Sequence, residues 1–163
     1  MSKQLLIIRH ATAARPKDIH SDFDRPLTTK GQAEADGIGR FLKEQDIHPE
    51  FVLCSSAQRT AETFQIINQH LNIAEEAVSY SKKIYEVFYK DLFKIVSEID
   101  NSYQRIALIG HNNGVSDLIN YLLDENYISL PPAGTALLEF PFDDWKMLSK
   151  GLVQIKLLHY PED

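Results

Sequence analysis

Only one cysteine, Cys54, occurs in the 163 residues, so no intrachain disulfide can form. Its apolar neighbours Val52 and Leu53 predict a buried, reduced thiol rather than a nucleophile. Long hydrophobic runs are missing too: the most apolar stretches, residues 5–8 and 106–109, fall far short of the roughly 20 residues a membrane helix needs. Basic charge is not in surplus. A net charge of −6 argues against a nucleic-acid surface, which needs Lys and Arg gathered on one face, so any anion site must be local. His20, His48, His70 and His159 lack the His-x-x-x-His step beside a carboxylate, so solvated or packing roles are expected for them and no metal site is. No repeat, low-complexity tract or Pro/Gly/Ser linker divides the chain, and one domain over residues 1–163 is expected. The opening Met1-Ser2-Lys3-Gln4 runs straight into an apolar segment with no part of a secretory signal, which predicts a cytoplasmic protein. Nothing in the composition speaks to the oligomeric state.

What is present is an alternation. Leu5-Leu6-Ile7-Ile8 is a short continuous apolar run, the pattern of a strand buried on both faces of a parallel sheet. Thr29 and Gln32 fit a capping box, and Ala35, Ile38 and Leu42 recur at helical spacing, predicting an amphipathic helix over 30–44. Residues 51–54 read as a second buried strand. Ser55 and Gln58 suggest another capping box, ahead of a helix from about residue 57 that carries Ala61, Phe64, Ile67 and Leu71. A helix over 90–99, a buried strand over 105–109 and a helix carrying Val115, Leu118, Ile119 and Leu122 follow. Residues 136–140 and 153–157 read as two more strands, paired antiparallel at an edge about a turn near Trp145. The fold class is therefore α/β: a three-layer α/β/α sandwich with a mostly parallel central sheet and an antiparallel edge. The stretch between Arg59 and Arg105 is too short for a large lid subdomain beyond its own helices, so a shallow mouth is expected.

Open α/β sheets bind ligands at the carboxyl ends of their parallel strands. Here the first strand runs into Arg9-His10, the second passes through Ser55-Ser56 to Arg59, and the third ends in Gly110-His111. Two guanidiniums, two imidazoles and a helix amino terminus converging on one volume call for a strongly anionic ligand, and a phosphoryl group fits best. Arg9 and Arg59 stay protonated and can clamp phosphoryl oxygens. Positive neighbours oppose protonation of a histidine, so His10 can offer a lone pair to phosphorus while His111 supports the transferring group. Taken singly each of these residues has an ordinary structural reading; their joint placement at strand ends carries the argument. Arg25 either lines the same mouth as a substrate contact or serves as an ion-pair partner in a loop. Gly110-His111-Asn112-Asn113-Gly114 lacks the Walker lysine and the spaced-glycine fingerprint, so nucleotide binding has little support.

The run Leu5-Leu6-Ile7-Ile8-Arg9-His10-Ala11, the later Arg59 and Gly110-His111 together resemble the histidine phosphatase (phosphoglycerate mutase-like) superfamily. Arg25-Pro26-Leu27-Thr28-Thr29-Lys30-Gly31 and Gly110-His111-Asn112 are similar to signatures of its short bacterial SixA-type phosphohistidine phosphatases. Over roughly residues 5–140 the resemblance implies a phosphohistidine intermediate at His10, phosphate contacts from Arg9, Arg59 and His111, no cofactor or metal, and hydrolysis of the intermediate by water. Many relatives supply a carboxylic acid to protonate the leaving oxygen, and Glu86 is the match in this chain. An imidazole leaving group, with a solution pKa of about 6.5, needs such an acid less than an alkoxide does. Ala11 stands where many members have glycine and Asn113 where proline often follows; both bear on positioning, and neither removes a reacting atom. The implied partner is a phosphorylated protein, favoured by the shallow mouth, or a small phosphorylated substrate. Two other functions are weighed beside it: a small-molecule phosphomonoesterase or mutase, and a noncatalytic phosphate-recognition module.

Overall fold

The computed structural model describes residues 2–16, 21–125 and 127–161. His20 lies outside them, as does part of the loop over residues 12–26. Six strands and four helices follow in the order β1 (Lys3–Arg9), α1 (Thr29–Glu44), β2 (Phe51–Ser55), α2 (Gln58–Leu71), β3 (Val78–Ser81), α3 (Tyr89–Ser97), β4 (Arg105–Gly110), α4 (Gly114–Leu123), β5 (Thr135–Phe140) and β6 (Gln154–His159). They form one sheet in the order β3-β2-β4-β1-β5-β6, with β1 to β4 mutually parallel. β5 runs antiparallel to β1, and β6 antiparallel to β5 at the edge.

Helices cover both faces, which is why the central strands are apolar on both faces over residues 5–8, 52–54 and 106–109. Leu6, Ile8, Val52, Cys54, Ala107 and Ile109 face Ala35, Ile38 and Leu42 of α1 and Phe64, Ile67 and Leu71 of α2. The alternate residues Leu5, Ile7, Leu53, Ile106 and Leu108 face Leu92 and Val96 of α3 and Val115, Leu118 and Leu122 of α4. Each such aliphatic side chain contributes about 1.5–3 kcal/mol on burial. Cys54 is among them, and burial pushes its thiol pKa upward, as an unreactive packing residue requires.

Two expected caps sit differently. The α1 cap is Thr28, whose Oγ1 accepts from Gly31 N at 3.0 Å, rather than Thr29, because Thr28 is the last residue with extended backbone. Ser55 does not cap α2; Ala57 holds that position without a side-chain bond, and Ser55 closes β2 instead. β3 has no counterpart in the sequence pattern. Val78-Ser79-Tyr80-Ser81 is half-exposed and weakly apolar, and it becomes a strand through its ladder to β2, from Val52↔Val78 to Ser55↔Ser81. Of the histidines set aside as ligands, His70 pairs with Asp36 across α1 and α2 at 2.7 Å, His159 stacks on Phe41, and His48 is exposed. Among the described residues no helix is long and apolar enough to cross a membrane.

Candidate active site

Strand register brings the two imidazoles side by side. Arg9 at the end of β1 lies opposite Gly110 at the end of β4, and His10 N donates to the Gly110 carbonyl at 3.1 Å. The next residue along each strand is a histidine, and the His10 and His111 ring centroids are 5.3 Å apart with planes tilted by 56°. One strand further over, β2 ends in Ser55, whose Oγ lies 2.8 Å from His111 Nε2. Arg59, in the first turn of α2, is 1% exposed and donates from Nε to His10 Nε2 at 3.3 Å.

The Ala11 carbonyl can only accept, so its 2.7 Å contact with His10 Nδ1 assigns the ring proton to that nitrogen. Nε2 is left with a lone pair, held toward Arg59. Burial, joined by the charges of Arg59, Arg9 and Arg25, lowers the His10 pKa to about 4 against the opposing pull of the Ala11 carbonyl. The His111 pKa falls to about 3, through burial first and then proximity to His10 and Arg59. Both rings are therefore neutral at pH 7. Glu86 Oε1 lies 3.6 Å from His111 Nδ1, and a carboxylate oxygen on that side favours the proton on Nδ1. Ser55 Oγ, already accepting from Ala57 N at 3.2 Å, then donates to Nε2.

Two buried donors at this site, Arg9 Nε and His111 Nδ1, have no hydrogen-bond acceptor among the described residues. Buried donors are seldom orphaned. A pair of them beside the Arg59 guanidinium suits an anion with several oxygens, such as a phosphoryl group. Arg9 is also tied back: its Nη1 and Asn112 Nδ2 both donate to the Leu130 carbonyl at 3.0 Å. Ser116 closes that circuit, donating to Asn112 Oδ1 at 2.6 Å and accepting from Leu130 N at 2.9 Å. The loop after His111 is thus held by Asn112, while Asn113 leads into α4 without a side-chain cap. Ala11 is fully buried, with its N–H donated to Thr63 Oγ1 at 3.0 Å.

Glu86 reaches the cluster from the loop before α3, where its Oε1 accepts from Arg59 Nη2 at 2.8 Å. Its φ of 51° is left-handed, a conformation that non-glycine residues hold only when their surroundings impose it. Among the described non-glycine residues with positive φ, Asp46, Asn72 and Asp124 end helices, whereas Glu86 and Ala133 border this site. Ala133 N lies 3.1 Å from the carbonyls of both Arg9 and His10. Arg25 takes the ion-pair geometry: Nε donates to the Ala14 carbonyl at 2.6 Å and Nη1 pairs with Asp22 Oδ1 at 2.9 Å.

The structure thus gathers His10, Arg59, His111 and Glu86 into one connected cluster with Arg9 alongside, and connects Arg25 through Asp22. Ser55, Asp22, Tyr85 and Thr63 complete the surroundings and were not singled out as site residues from the sequence. Ser55 was accessible as the last residue of a strand neighbouring Gly110-His111, and Asp22 as an acid three residues before Arg25. Nothing local marks Thr63, which acts one helical turn after Arg59. Among the described residues no group of three or more His, Cys, Asp or Glu is placed to hold a metal ion.

Residues 5–117 match the histidine phosphatase superfamily (branch 1). The chain belongs to that superfamily. An uncharacterised chloroplastic protein of Arabidopsis thaliana is 27% identical over 154 residues, covering 90% of this chain and 70% of its own length. Phosphohistidine phosphatase SixA of Escherichia coli is 38% identical over 74 residues, 45% of each chain. Among solved structures, a SixA-like protein from Agrobacterium tumefaciens superposes over 98% of both chains with a TM-score of 0.84 at 22% identity. The protein histidine phosphatase SixA complexed with tungstate does so over 97% of both chains, with a TM-score of 0.78 at 24% identity. At those identities the superpositions show a shared fold.

Proposed function

We propose that this chain removes phosphoryl groups from phosphohistidine on a protein, through a covalent phosphohistidine at His10 and without a metal or other cofactor. The observation that carries the reading is the His10 ring itself: Nδ1 is committed to the Ala11 carbonyl, and Nε2 keeps its lone pair beside the Arg59 guanidinium. Nε2 attacks phosphorus, and the electron pair of the broken bond leaves with the departing group. Arg59, Arg9 and the His111 Nδ1 proton take the phosphoryl oxygens as negative charge builds on them. Water then cleaves the N–P bond, releasing inorganic phosphate and restoring Nε2. Glu86 serves as the proton donor to an oxygen leaving group, with less demand on it when an imidazole departs.

A macromolecular substrate is supported by how close the buried machinery lies to solvent. Glu86 and Asp22 side chains, 47% and 42% exposed, are within hydrogen-bond distance of the 1%-exposed Arg59. Such a mouth admits a phosphorylated side chain without an enclosing lid. Rapid quenching during turnover of a phosphohistidine protein is expected to trap acid-labile, alkali-stable phosphate on the wild-type chain and none on His10→Ala. Steady phosphate release with no adduct on the wild-type chain would rule out the covalent route.

A further inference from the structure

The proposed reaction uses cations, yet the outer side of the Arg59 guanidinium is lined by acid. Asp22, in a short turn over Asp22–Asp24, supplies its carbonyl to Arg59 Nη1 at 2.7 Å and its Oδ2 to Arg59 Nη2 at 3.2 Å. Glu86 Oε1 takes the same Nη2 at 2.8 Å. Asp22 is held in place on every side: Arg25 Nη1 donates to Oδ1, and the Tyr85 hydroxyl donates to Oδ2. The Tyr85 ring stands edge-on to His111 at 5.4 Å and beneath the Arg59 guanidinium at 5.8 Å, and Phe23 packs edge-on against it at 5.1 Å. Burial opposes ionisation of Asp22, but the bonds from Tyr85 and Arg25 and the charge of Arg59 prevail and bring its pKa down to about 2. It is anionic at any working pH.

This matters for what can leave. Asp22 sets a fixed negative charge against Arg59 and Arg25 while both histidines are neutral, so the site is less cationic than its arginines alone would make it. A donor bearing a second anionic group next to the phosphoryl group meets the Asp22 carboxylate, which lies 3.2 Å from Arg59 Nη2. A phosphorylated imidazole meets the opposite situation. Its ring departs readily when protonated on the nitrogen remote from phosphorus. As His10 Nε2 forms its bond to phosphorus, the substrate N–P bond breaks, its electron pair returns to the ring nitrogen, and the ring leaves as neutral imidazole with the remote proton retained. A carboxylate near that ring favours the protonated, reactive form.

Resting on the phosphatase reading above, we propose that Asp22 is a specificity-determining residue: its carboxylate at the rim of the site selects phosphoryl donors with a protonated nitrogen leaving group and disfavours donors carrying further negative charge. The test compares kcat/KM of the full-length wild type, Asp22→Asn and Tyr85→Phe on N-phosphoimidazole, p-nitrophenyl phosphate and 3-phosphoglycerate. In the wild type the preference for N-phosphoimidazole over 3-phosphoglycerate is expected to narrow as sodium chloride rises from 20 to 500 mM, because screening weakens charge selection. Asp22→Asn is expected to reduce that preference by about tenfold or more, with p-nitrophenyl phosphate changing least. Tyr85→Phe keeps the charge and should keep most of the preference. An equal loss on all three donors, or a preference that neither salt nor Asp22→Asn moves by threefold, overturns the proposal and leaves Asp22 as a strut for Arg59. Trapping the His10 adduct with each donor tests the underlying chemistry separately, since a wild type lacking any adduct would refute that reading and not the charge argument alone.

Discussion

At the scale of single residues, Arg59 does more than any other side chain. Nearly all of its surface is buried, and its three nitrogens contact His10, Asp22 and Glu86, so that imidazole and both carboxylates are positioned through one guanidinium. Arg59→Ala should remove transition-state stabilisation of about 2–4 kcal/mol, by analogy with deleted oxyanion donors, which corresponds to roughly 30- to 1000-fold in kcat. Lysine should not restore it, because an ammonium cannot reproduce the fork that meets three partners. A kcat within threefold of wild type for Arg59→Ala would remove Arg59 from the reaction. The neutrality of His10 belongs to the same scale. With its pKa lowered to about 4, the acid limb of kcat/KM is expected well below that of an ordinary histidine once substrate ionisation is allowed for.

At the scale of elements, the loop carrying Glu86 is set by its approach to α4. A Cβ on Gly114, the first residue of that helix, would lie 2.5 Å from the Val87 carbonyl oxygen, which is backbone and cannot turn aside. Gly114→Ala should push residues 85–88 outward, draw Glu86 off Arg59, and destabilise the fold by about 1–3 kcal/mol. Gly37 is the internal control: it lies in the middle of α1 with open space around it, and Gly37→Ala should stabilise by about 0.5–1 kcal/mol. Urea denaturation of the two variants should therefore shift the midpoint in opposite directions. Two downward shifts would mean that helix propensity is not the controlling term in α1.

At the scale of the whole molecule, folding buries two imidazoles in their neutral form. The unfolded chain binds protons at about pH 6.5 on each, whereas the native pKa values are about 4 for His10 and about 3 for His111. Between these limits the unfolded state holds more protons, so stability is complete above about pH 6.5 and is lost as pH falls through the two native values. Asp22 adds a contribution that disappears only at lower pH, as it falls through about 2. The melting temperature should decline from pH 7 to 4.5, and saturating inorganic phosphate should flatten that decline, since a bound anion offsets the charge of protonated rings. A flat profile without phosphate would contradict the burial of neutral histidines.

The sequence by itself determined the layered α/β architecture, because strands covered on both faces must be apolar throughout and their helices must repeat at 3.6 residues. It also determined which residues stand at the carboxyl ends of β1, β2 and β4, since Arg9-His10, Ser55 and Gly110-His111 follow directly on those runs. Only the tertiary structure decided what each end touches. The register of β1 on β4 sets the spacing of the histidines, the ladder to β2 makes a strand of residues 78–81, and the loop before α1 carries Asp22 to Arg59 across 37 positions of chain. Such pairings depend on contacts between segments remote in the chain, and local patterning carries no trace of them.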